Sequence, residues 1–491
     1  MKDLRHRAIR GGSAKVLAQA ANFTLRIGSL MILARLLDPK DFGLVGMVTA
    51  ITGVLSLFRD FGLSSATVQR VEVTDQQVST LFWINVAVGT GLCLLLAAAS
   101  PMVAWFYREP RLVWVTVALS SGFFFNALGI QHSAMLQREM RFTALSTIDV
   151  VSLAVSVATA VGMAVAGFRY WALVAMTVVP PFITTICLWF ATRWVPGPPR
   201  KKSGIRSMVH FGGLVTLNGL IYYVAYNLDK VLLGRYWGAE AIGIYGRAYQ
   251  LVNIPTDNLN SAVGEVAFSA LSRVQNDAAR LRSYFLKGYS MVLALTVPVT
   301  IAGALCANDL ISVVLGPKWT ATAPIFRLLA PTILIYAIIN PLAWLLYSTG
   351  MVARSIKLIA IIAPLTITAY ILGLPHGPKG VAMAYSTVMT IWVIPHILLC
   401  VRGTSVSFRD VMVTIRRPVV SGVVAGALAA AIQFFIGSSL IPLARVAIEG
   451  SVLLAVYLVI LLYIMGQKSF YLEVFRSLRR APVPEKVLVS A

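Results

Sequence analysis

The chain has 491 residues, of which 58% are hydrophobic and only 12% are charged, and its mean hydropathy is +0.79. Soluble domains carry about 25% charged residues, so this chain could not cover its surface with polar groups in water. The net charge of +23 would suit nucleic acid, but the positive residues lie between apolar stretches, where they indicate membrane topology instead. The sequence therefore predicts an all-α integral membrane protein and no nucleic-acid partner.

Apolar stretches of about 20 residues recur along the chain, which is the length of a helix that crosses a bilayer. They predict about fourteen transmembrane helices, at 14–36, 43–67, 79–105, 112–135, 145–167, 171–192, 209–233, 243–268, 284–306, 322–347, 356–374, 380–401, 418–440 and 443–466. About two thirds of the Lys and Arg residues fall on the side of the two termini, and positive loops stay in the cytoplasm. Both termini are therefore expected to be cytoplasmic.

The basic segment 193–206, RWVPGPPRKKSGIR, divides the chain, because its Pro and Gly residues interrupt any helix. We predict a six-helix N-terminal bundle (1–192), this cytoplasmic linker, and a six-helix C-terminal bundle (207–401). Two additional spans (402–466) and a cytoplasmic tail (467–491) would follow.

An internal repeat supports two related halves. Residues 33–45 read LARLLDPKDFGLV and residues 233–245 read LGRYWGAEAIGIY. Three identities recur at an offset of 200 residues: Leu33 with Leu233, Arg35 with Arg235, and Gly43 with Gly243. Each set lies at the end of the first span of its half, so the halves are expected to share one orientation.

Two local patterns have structural interpretations. The charged run Asp38–Pro39–Lys40–Asp41 is typical of a helix start, which we favour over a metal or sugar-nucleotide site. Aromatic residues near span ends predict an interfacial belt, with carbohydrate stacking as the alternative. They are Trp105, Tyr107, Trp171, Trp194, Trp237 and Trp319.

Polar residues recur at helical spacing on the first two spans of each half. A polar group inside a bilayer is costly, so such a stripe indicates a face turned toward protein or water. Four matching stripes predict a shared central cavity, although hydrogen bonding between helices is the alternative. The candidate substrate-binding residues are Gln19, Asn22, Arg26, Ser56, Arg59, Tyr222, Tyr226, Asn253 and Asn260.

Carboxylates on the same spans are candidates for coupling to an ion gradient, since a proton or a cation can stabilise a desolvated carboxyl group. Asp257 is the first candidate because it lies mid-span beside Pro255, and Glu265 follows two turns later on the same face. Asp60 and Asp229 complete the set. Structural pairing of Asp257 with a buried arginine is the alternative.

No catalytic or nucleotide-binding motif is present in the sequence. We therefore expect no cofactor, no metal and no catalytic residue. Transport would be coupled to an ion or driven by the substrate gradient.

Six segments carry a resemblance to a known family. They are RIGSLMILARLLDPKDFGLVGMVTAITGVLSLFRDFGLSSATVQR (26–70), LQREMRF (136–142), GFRYWALV (167–174), NLDKVLLGRYWG (227–238), ALSRVQND (270–277) and GPKWTATAPIFRLLA (316–330). These segments resemble the polysaccharide-transporter branch of the multidrug/oligosaccharidyl-lipid/polysaccharide exporter superfamily. The resemblance is to Wzx-like flippases, and in particular to succinoglycan-type exopolysaccharide transporters.

The resemblance implies two six-helix bundles that form a V around a central cavity lined by spans 1, 2, 7 and 8. It also implies that the protein flips undecaprenyl-pyrophosphate-linked oligosaccharides to the periplasmic leaflet of the bacterial inner membrane. This step would serve exopolysaccharide or lipopolysaccharide biosynthesis, with other polysaccharide-assembly membrane proteins as possible partners.

Two alternatives stay open. A multidrug-type exporter of small molecules would have the same fold, but the family-specific segments count against it. A membrane-embedded polysaccharide polymerase or glycosyltransferase would need a sizeable extracytoplasmic segment, whereas the predicted outer connections have the length of ordinary loops.

Overall fold

The computed structural model describes the backbone of residues 2–59, 67, 74–199, 206–436 and 440–479. Side chains are described within 17–59, 67, 74–199, 223–257, 264, 267–432 and 440–473. Over these ranges the regular structure is helical, without a strand.

The helices follow one another with short connections, and a π-helical turn at Ile460–Ile464 extends the sixteenth of them. In chain order they are α1 (Lys2–Leu36), α2 (Pro39–Ser56), α3 (Asp75–Ala98), α4 (Ser100–Tyr107), α5 (Leu112–Arg138), α6 (Phe142–Val165), α7 (Tyr170–Thr192), α8 (Arg206–Arg273), α9 (Ala278–Leu305), α10 (Ala307–Val314), α11 (Thr322–Leu329), α12 (Pro331–Ser348), α13 (Val352–Gly373), α14 (Gly377–Val401), α15 (Phe408–Ile436), α16 (Pro442–Val459) and α17 (Lys468–Arg479).

Within the described residues, 10 helical segments are long and apolar enough to cross a membrane. The prediction of a helical protein with many segments of membrane-spanning length is confirmed for these residues. Each of the predicted spans overlaps helical residues, and two of them comprise two consecutive helices, α3 with α4 and α11 with α12. The number of fourteen crossings stays a prediction.

The repeated segment breaks the helix at the same place in both halves. The predicted helix start is confirmed, because Asp38 is the extended residue before α2 and its N–H donates to Asp41 Oδ2 at 3.2 Å. Gly238, at an offset of 200 residues, interrupts α8 with φ +81° and ψ −174°. That positive φ favours glycine, and it separates a first limb (206–237) from a second limb (239–273).

Contacts between residues divide the chain into two compact units. Unit 1 comprises Met1–Gln250, Val314–Ile325 and Ile359–Val388. In it α5 packs against α3 and α7, while α6 packs against α7 and α1. A buried cluster of Leu136, Ile148 and Leu188 forms part of this core.

Unit 2 comprises Leu251–Val313, Phe326–Leu358 and Met389–Ala491. Here α9 packs against α12, α15 and α16. Gly422 of α15 makes the close approach possible, since a Cβ atom there would lie 2.2 Å from Val297 Cγ1. The predicted bundle boundaries at 192, 206 and 401 stay a prediction.

Trp319 departs from the interfacial belt predicted for the aromatic residues. Trp105 is 77% exposed, as a belt residue would be, but Trp319 is fully buried in unit 1. Its indole Nε1 donates to the carbonyl of Ala34 at 2.7 Å, and its ring meets Phe42 edge-on. The belt prediction is wrong for Trp319, because a partner for the indole N–H is available inside the protein.

Candidate functional site

The polar face of α1 lies in unit 1 and is largely open. Gln19 and Arg26 are exposed, and Asn22 is half-buried. The side-chain carbonyl oxygen of Asn22 is buried and has no hydrogen-bond partner among the described residues. The guanidinium of Arg26 provides donors that suit an anion such as phosphate, whereas the unpaired oxygen of Asn22 can accept a hydrogen bond from a ligand hydroxyl or N–H group.

Asp149 of α6 is a residue that the sequence analysis did not single out. It is exposed and lies close enough to Arg26 to interact electrostatically, because α1 packs against α6. Asp149 is the one acidic residue of the predicted span 145–167, and that isolation was a signal available in the sequence.

The polar residues near the end of α2 have two different surroundings. Ser56 is exposed and donates to the carbonyl of Gly53 at 2.6 Å, within its own helix. Arg59 is half-buried, and its Nε has no hydrogen-bond partner in the described part of the chain. A buried guanidinium N–H without a protein partner can donate a hydrogen bond to a ligand. Asp60 lies outside the described residues.

The predicted residues on the first limb of α8 differ in how far their side chains are buried. The side chain of Tyr222 lies outside the described residues, and Tyr226 is half-buried. Asp229 is fully buried and accepts a hydrogen bond of 2.8 Å from the hydroxyl of Tyr245. Its other oxygen accepts the backbone N–H of Lys230, also at 2.8 Å. These contacts give Asp229 a structural partner within unit 1.

Arg247, on the second limb, is a further half-buried cation of unit 1. Its guanidinium lies 4.6 Å from the centre of the Phe42 ring and also donates to Gln250 Oε1. Its Nε is buried without a hydrogen-bond partner among the described residues. The cation–π contact stabilises the charge without an acidic residue.

In unit 2 the second limb of α8 carries the remaining predicted residues. Asn253 is half-buried and Asp257 is exposed, while the side chains of Asn260 and Glu265 lie outside the described residues. Beside this limb is a small cavity that α9 and α12 complete. It is lined by Thr256, Val292, Thr296, Ile333, Tyr336, Ala337, Asn340, Pro341 and Trp344.

The sequence analysis missed the contribution of α12 to this cavity. Tyr336, Asn340 and Trp344 recur every four residues, which is a helical face. The signal was present, but a stripe without charges within an apolar segment does not stand out by hydropathy.

A second small cavity of unit 2 is also polar on one side. Glu449 of α16 is buried beside it and accepts a hydrogen bond of 3.1 Å from the thiol of Cys306. One helical turn away, Arg445 Nη2 donates to Asp309 Oδ1 at 2.6 Å. No group of three or more His, Cys, Asp or Glu residues within the described ranges is placed to hold a metal.

Helices of membrane-spanning length with polar faces define a multi-pass membrane protein. Its fold is that of the lipid II flippase MurJ, solved in an inward closed conformation, with a TM-score of 0.74 and 14% sequence identity. The match covers 94% of this chain and 99% of MurJ.

The chain belongs to the polysaccharide biosynthesis protein family, whose sequence profile matches residues 32–324. It is similar to the teichuronic acid biosynthesis protein TuaB of Bacillus subtilis, with 31% identity over 59% of this chain and 61% of TuaB. It is also similar to the lipopolysaccharide biosynthesis protein WzxC of Escherichia coli, with 27% identity over 79% of this chain and 80% of WzxC. The resemblance to polysaccharide transporters found in the sequence is thereby confirmed.

Proposed function

We propose that this protein is a flippase that moves lipid-linked oligosaccharides across the bacterial cytoplasmic membrane by alternating access. The observation that carries the proposal is the family match over residues 32–324, together with the fold of a lipid II flippase. TuaB and WzxC are named for the biosynthesis of cell-surface polysaccharides. The carried glycan would therefore be a precursor of an exopolysaccharide or a lipopolysaccharide.

We further propose fourteen transmembrane helices, with both termini in the cytoplasm. The family resemblance implies two six-helix bundles in a V, followed by two additional helices. The excess of positive charge on the side of the termini supports this topology. The basic linker 193–206 would then lie at the cytoplasmic face.

Arg26 and Arg59 are proposed to bind the anionic pyrophosphate of the lipid carrier. Arg26 is exposed on a membrane-length helix, and Arg59 has a buried nitrogen without a partner among the described residues. A guanidinium presents its donors in a planar fork that matches phosphate oxygens. The amides of Asn22 and Gln19 extend the same face of α1 with further donors.

Asp149 is proposed to balance the charge of Arg26 when no substrate is bound. A charge inside a bilayer is costly unless an opposite charge lies nearby. The approach of Asp149 to Arg26 supplies that opposite charge. An arriving pyrophosphate would compete with Asp149 for the guanidinium.

Deletion of the gene from its host tests this function. We expect lipid-linked glycan to accumulate in the cytoplasmic leaflet and surface polysaccharide to be lost, because the step between the two leaflets is blocked. Complementation with the wild-type gene should restore export, whereas the Arg26→Ala variant should not. Normal surface polysaccharide in the deletion strain would contradict the proposal, and so would a defect in glycan polymerisation with normal flipping.

A further inference from the structure

A short segment of the second half of the chain contacts the end of the first helix. The segment comprises Val314–Ile325 and belongs to unit 1, although the residues immediately before and after it belong to unit 2. It is termed the strap below. Its Trp319 is fully buried, and the indole Nε1 donates to the carbonyl of Ala34, 285 residues earlier in the chain, at 2.7 Å. The strap is therefore fixed to α1 by a buried side chain.

The carbonyl of Ala34 needs a donor from outside α1. It is among the last four carbonyls of the helix, which ends at Leu36, and such carbonyls lack a partner within the helix. In a longer helix the donor would be the N–H of Asp38, but this group donates to Asp41 Oδ2 instead, at 3.2 Å. Trp319 supplies a donor to this carbonyl, so the strap caps the C-terminal end of α1.

Three further contacts hold the strap against α1 and α2. The indole ring meets Phe42 edge-on, with 5.1 Å between the ring centres. Gly316 has a φ of +95°, and a Cβ atom there would lie 3.3 Å from Cγ of Arg35, so glycine permits this close approach. Lys318 Nζ lies 2.8 Å from Asp38 Oδ1, but both side chains are exposed, and an exposed ion pair contributes little to stability. The buried indole is therefore the main anchor of the strap.

The helix that the strap caps also carries the proposed anion-binding face. Arg26 lies on α1 roughly two turns before Ala34, and α1 is helical from one residue to the other. A displacement of the capped end would therefore also displace Arg26. Withdrawal of the indole would leave the Ala34 carbonyl without this donor, which costs free energy at a buried position. The strap and α1 are thus expected to move together.

We propose that the strap stays attached to α1 throughout the transport cycle and thereby couples movement of the chain on either side of it to the substrate-binding helix. The inference rests on the proposed function, because it concerns the conformational change of alternating access. The chain would bend at the two ends of the strap, while Trp319 stays in place. A latch that closes in one state only would instead release Trp319 in every cycle.

Covalent attachment of the strap distinguishes a permanent anchor from a latch. Asp38→Cys and Lys318→Cys are combined in a protein whose four native cysteines are replaced by alanine, and a short bismaleimide joins the two thiols after purification. Flipping is measured in vesicles with the lipid-linked glycan extracted from the gene-deletion strain. The cross-linked protein is expected to flip this glycan as fast as the same protein before cross-linking.

Variants of Trp319 should slow flipping without weakening binding of the headgroup. Trp319→Phe removes the indole donor and should slow flipping roughly 2- to 10-fold, which corresponds to one lost hydrogen bond. Trp319→Ala also removes the ring and should slow flipping further. Both variants should bind undecaprenyl pyrophosphate normally, because Arg26 is retained. Trp105→Ala is the matched control, since that side chain is 77% exposed, and it should flip at the wild-type rate.

The cross-link should also restore flipping to the Trp319→Ala protein, because a covalent bond replaces the lost anchor. The cross-link is formed on purified, folded protein, so a recovery cannot come from better folding in the cell. A purely structural role of Trp319 would not produce this recovery.

Three results would overturn the inference while leaving the proposed function standing. Loss of flipping when the strap with Trp319 intact is cross-linked would show that the strap must be released. A folded Trp319→Ala protein that flips at the wild-type rate would show that the anchor is not needed, and failure of the cross-link to restore a slow Trp319→Ala protein would exclude coupling through the strap. If the wild-type protein does not flip the extracted glycan, the proposed function is rejected and the inference with it.

Discussion

Gly43 and Gly243, which are 200 residues apart in the chain, each lie directly against the backbone of the other's helix. A Cβ atom on Gly43 would lie 1.6 Å from the carbonyl oxygen of Ala239, and one on Gly243 would lie 1.9 Å from that of Pro39. Pro39 and Ala239 are themselves related by the 200-residue offset. The contact is therefore reciprocal, and the two repeats meet through their shared glycine.

Substitution of either glycine by alanine should destabilise unit 1. The new methyl group meets backbone rather than a flexible side chain, and overpacking of this kind costs about 1–3 kcal/mol or more. We expect Gly43→Ala and Gly243→Ala to lower the melting temperature of the purified protein and to reduce its amount in the membrane. Thermal unfolding in detergent, followed by size-exclusion chromatography, measures both effects.

Gly246→Ala is the matched control on the second limb of α8. A Cβ atom there would meet nothing within 4 Å, and alanine favours a helix over glycine by about 1 kcal/mol. The control should therefore be as stable as the wild type or slightly more so. If Gly43→Ala and Gly246→Ala unfold at the same temperature, the close contact between the repeats does not stabilise the protein.

The sequence predicted much of the fold because its signals are local. Apolar length identified the helical segments, and the pattern from Asp38 to Asp41 identified the start of α2. The offset of 200 residues pointed to Gly43 and Gly243, although the identities alone could not reveal that the two glycines touch. That contact depends on the tertiary arrangement of α2 and α8.

The candidate site was harder to predict, because the residues that contact each other there come from helices far apart in the chain or from opposite sides of the interruption in α8. Tyr245 meets Asp229 only because Gly238 interrupts α8 between them. Asp149 approaches Arg26 only because α6 packs against α1. Helical spacing shows which residues share a face, but it does not show which helix that face meets.

Removal of the Arg26 guanidinium should strongly slow export without unfolding the protein. Hydrogen bonds to charged groups contribute about 1.5–3 kcal/mol, so Arg26→Ala should reduce flipping roughly 10- to 150-fold. Arg26→Lys should restore part of the activity, because lysine keeps the charge but loses the planar fork. A flipping assay in vesicles with a lipid-linked glycan measures the rates.

Arg111→Ala controls for the loss of an arginine elsewhere in unit 1. Arg111 precedes α5 and forms a partly exposed ion pair with Glu109, two residues earlier in the chain, at 2.8 Å. The Arg111→Ala variant should flip the lipid-linked glycan at the wild-type rate. Wild-type flipping by Arg26→Ala would exclude a role for Arg26 in substrate binding.

The pair of Asp229 and Tyr245 should contribute to stability. Tyr245→Phe leaves a fully buried carboxyl group without its hydroxyl donor, at a cost of about 1–3 kcal/mol. Asp229→Asn should cost less, because the amide oxygen can still accept from the N–H of Lys230 while the NH2 group donates to the hydroxyl oxygen of Tyr245. Thermal unfolding compares the variants with Tyr236→Phe, whose side chain is 69% exposed and whose change should have no effect. Equal stability of Tyr245→Phe and Tyr236→Phe would contradict this role.

Reporter fusions should place both termini in the cytoplasm. Fusions after Lys202, in the linker, and after Gln467, in the tail, should give a cytoplasmic signal because positive segments stay inside. A fusion near Lys318 should give a periplasmic signal. Alkaline phosphatase and a fluorescent protein, active on opposite sides, report each location. A periplasmic signal at Lys202 would overturn both the topology and the proposed number of spans.

Asp257 should couple flipping to an ion gradient. Alternating access requires a ligand that binds one state better than the other, and a carboxyl group can take up a proton or a cation in one of them. Asp257 is exposed, one residue from the cavity wall at Thr256. Asp257→Asn should therefore bind the lipid-linked glycan normally but lose its dependence on the gradient. Flipping in vesicles with imposed proton or sodium gradients measures that dependence.

Two further variants separate coupling from a structural role of Asp257. Asp277→Asn changes the same functional group at the start of α9, where the side chain accepts from two backbone N–H groups, and asparagine caps a helix equally well. It should retain full gradient dependence. Asp257→Glu keeps the carboxyl group and should retain part of it. A well-folded Asp257→Asn protein that still responds to the gradient would exclude coupling through this residue, whereas poor folding of that variant alone would assign Asp257 to the packing of unit 2.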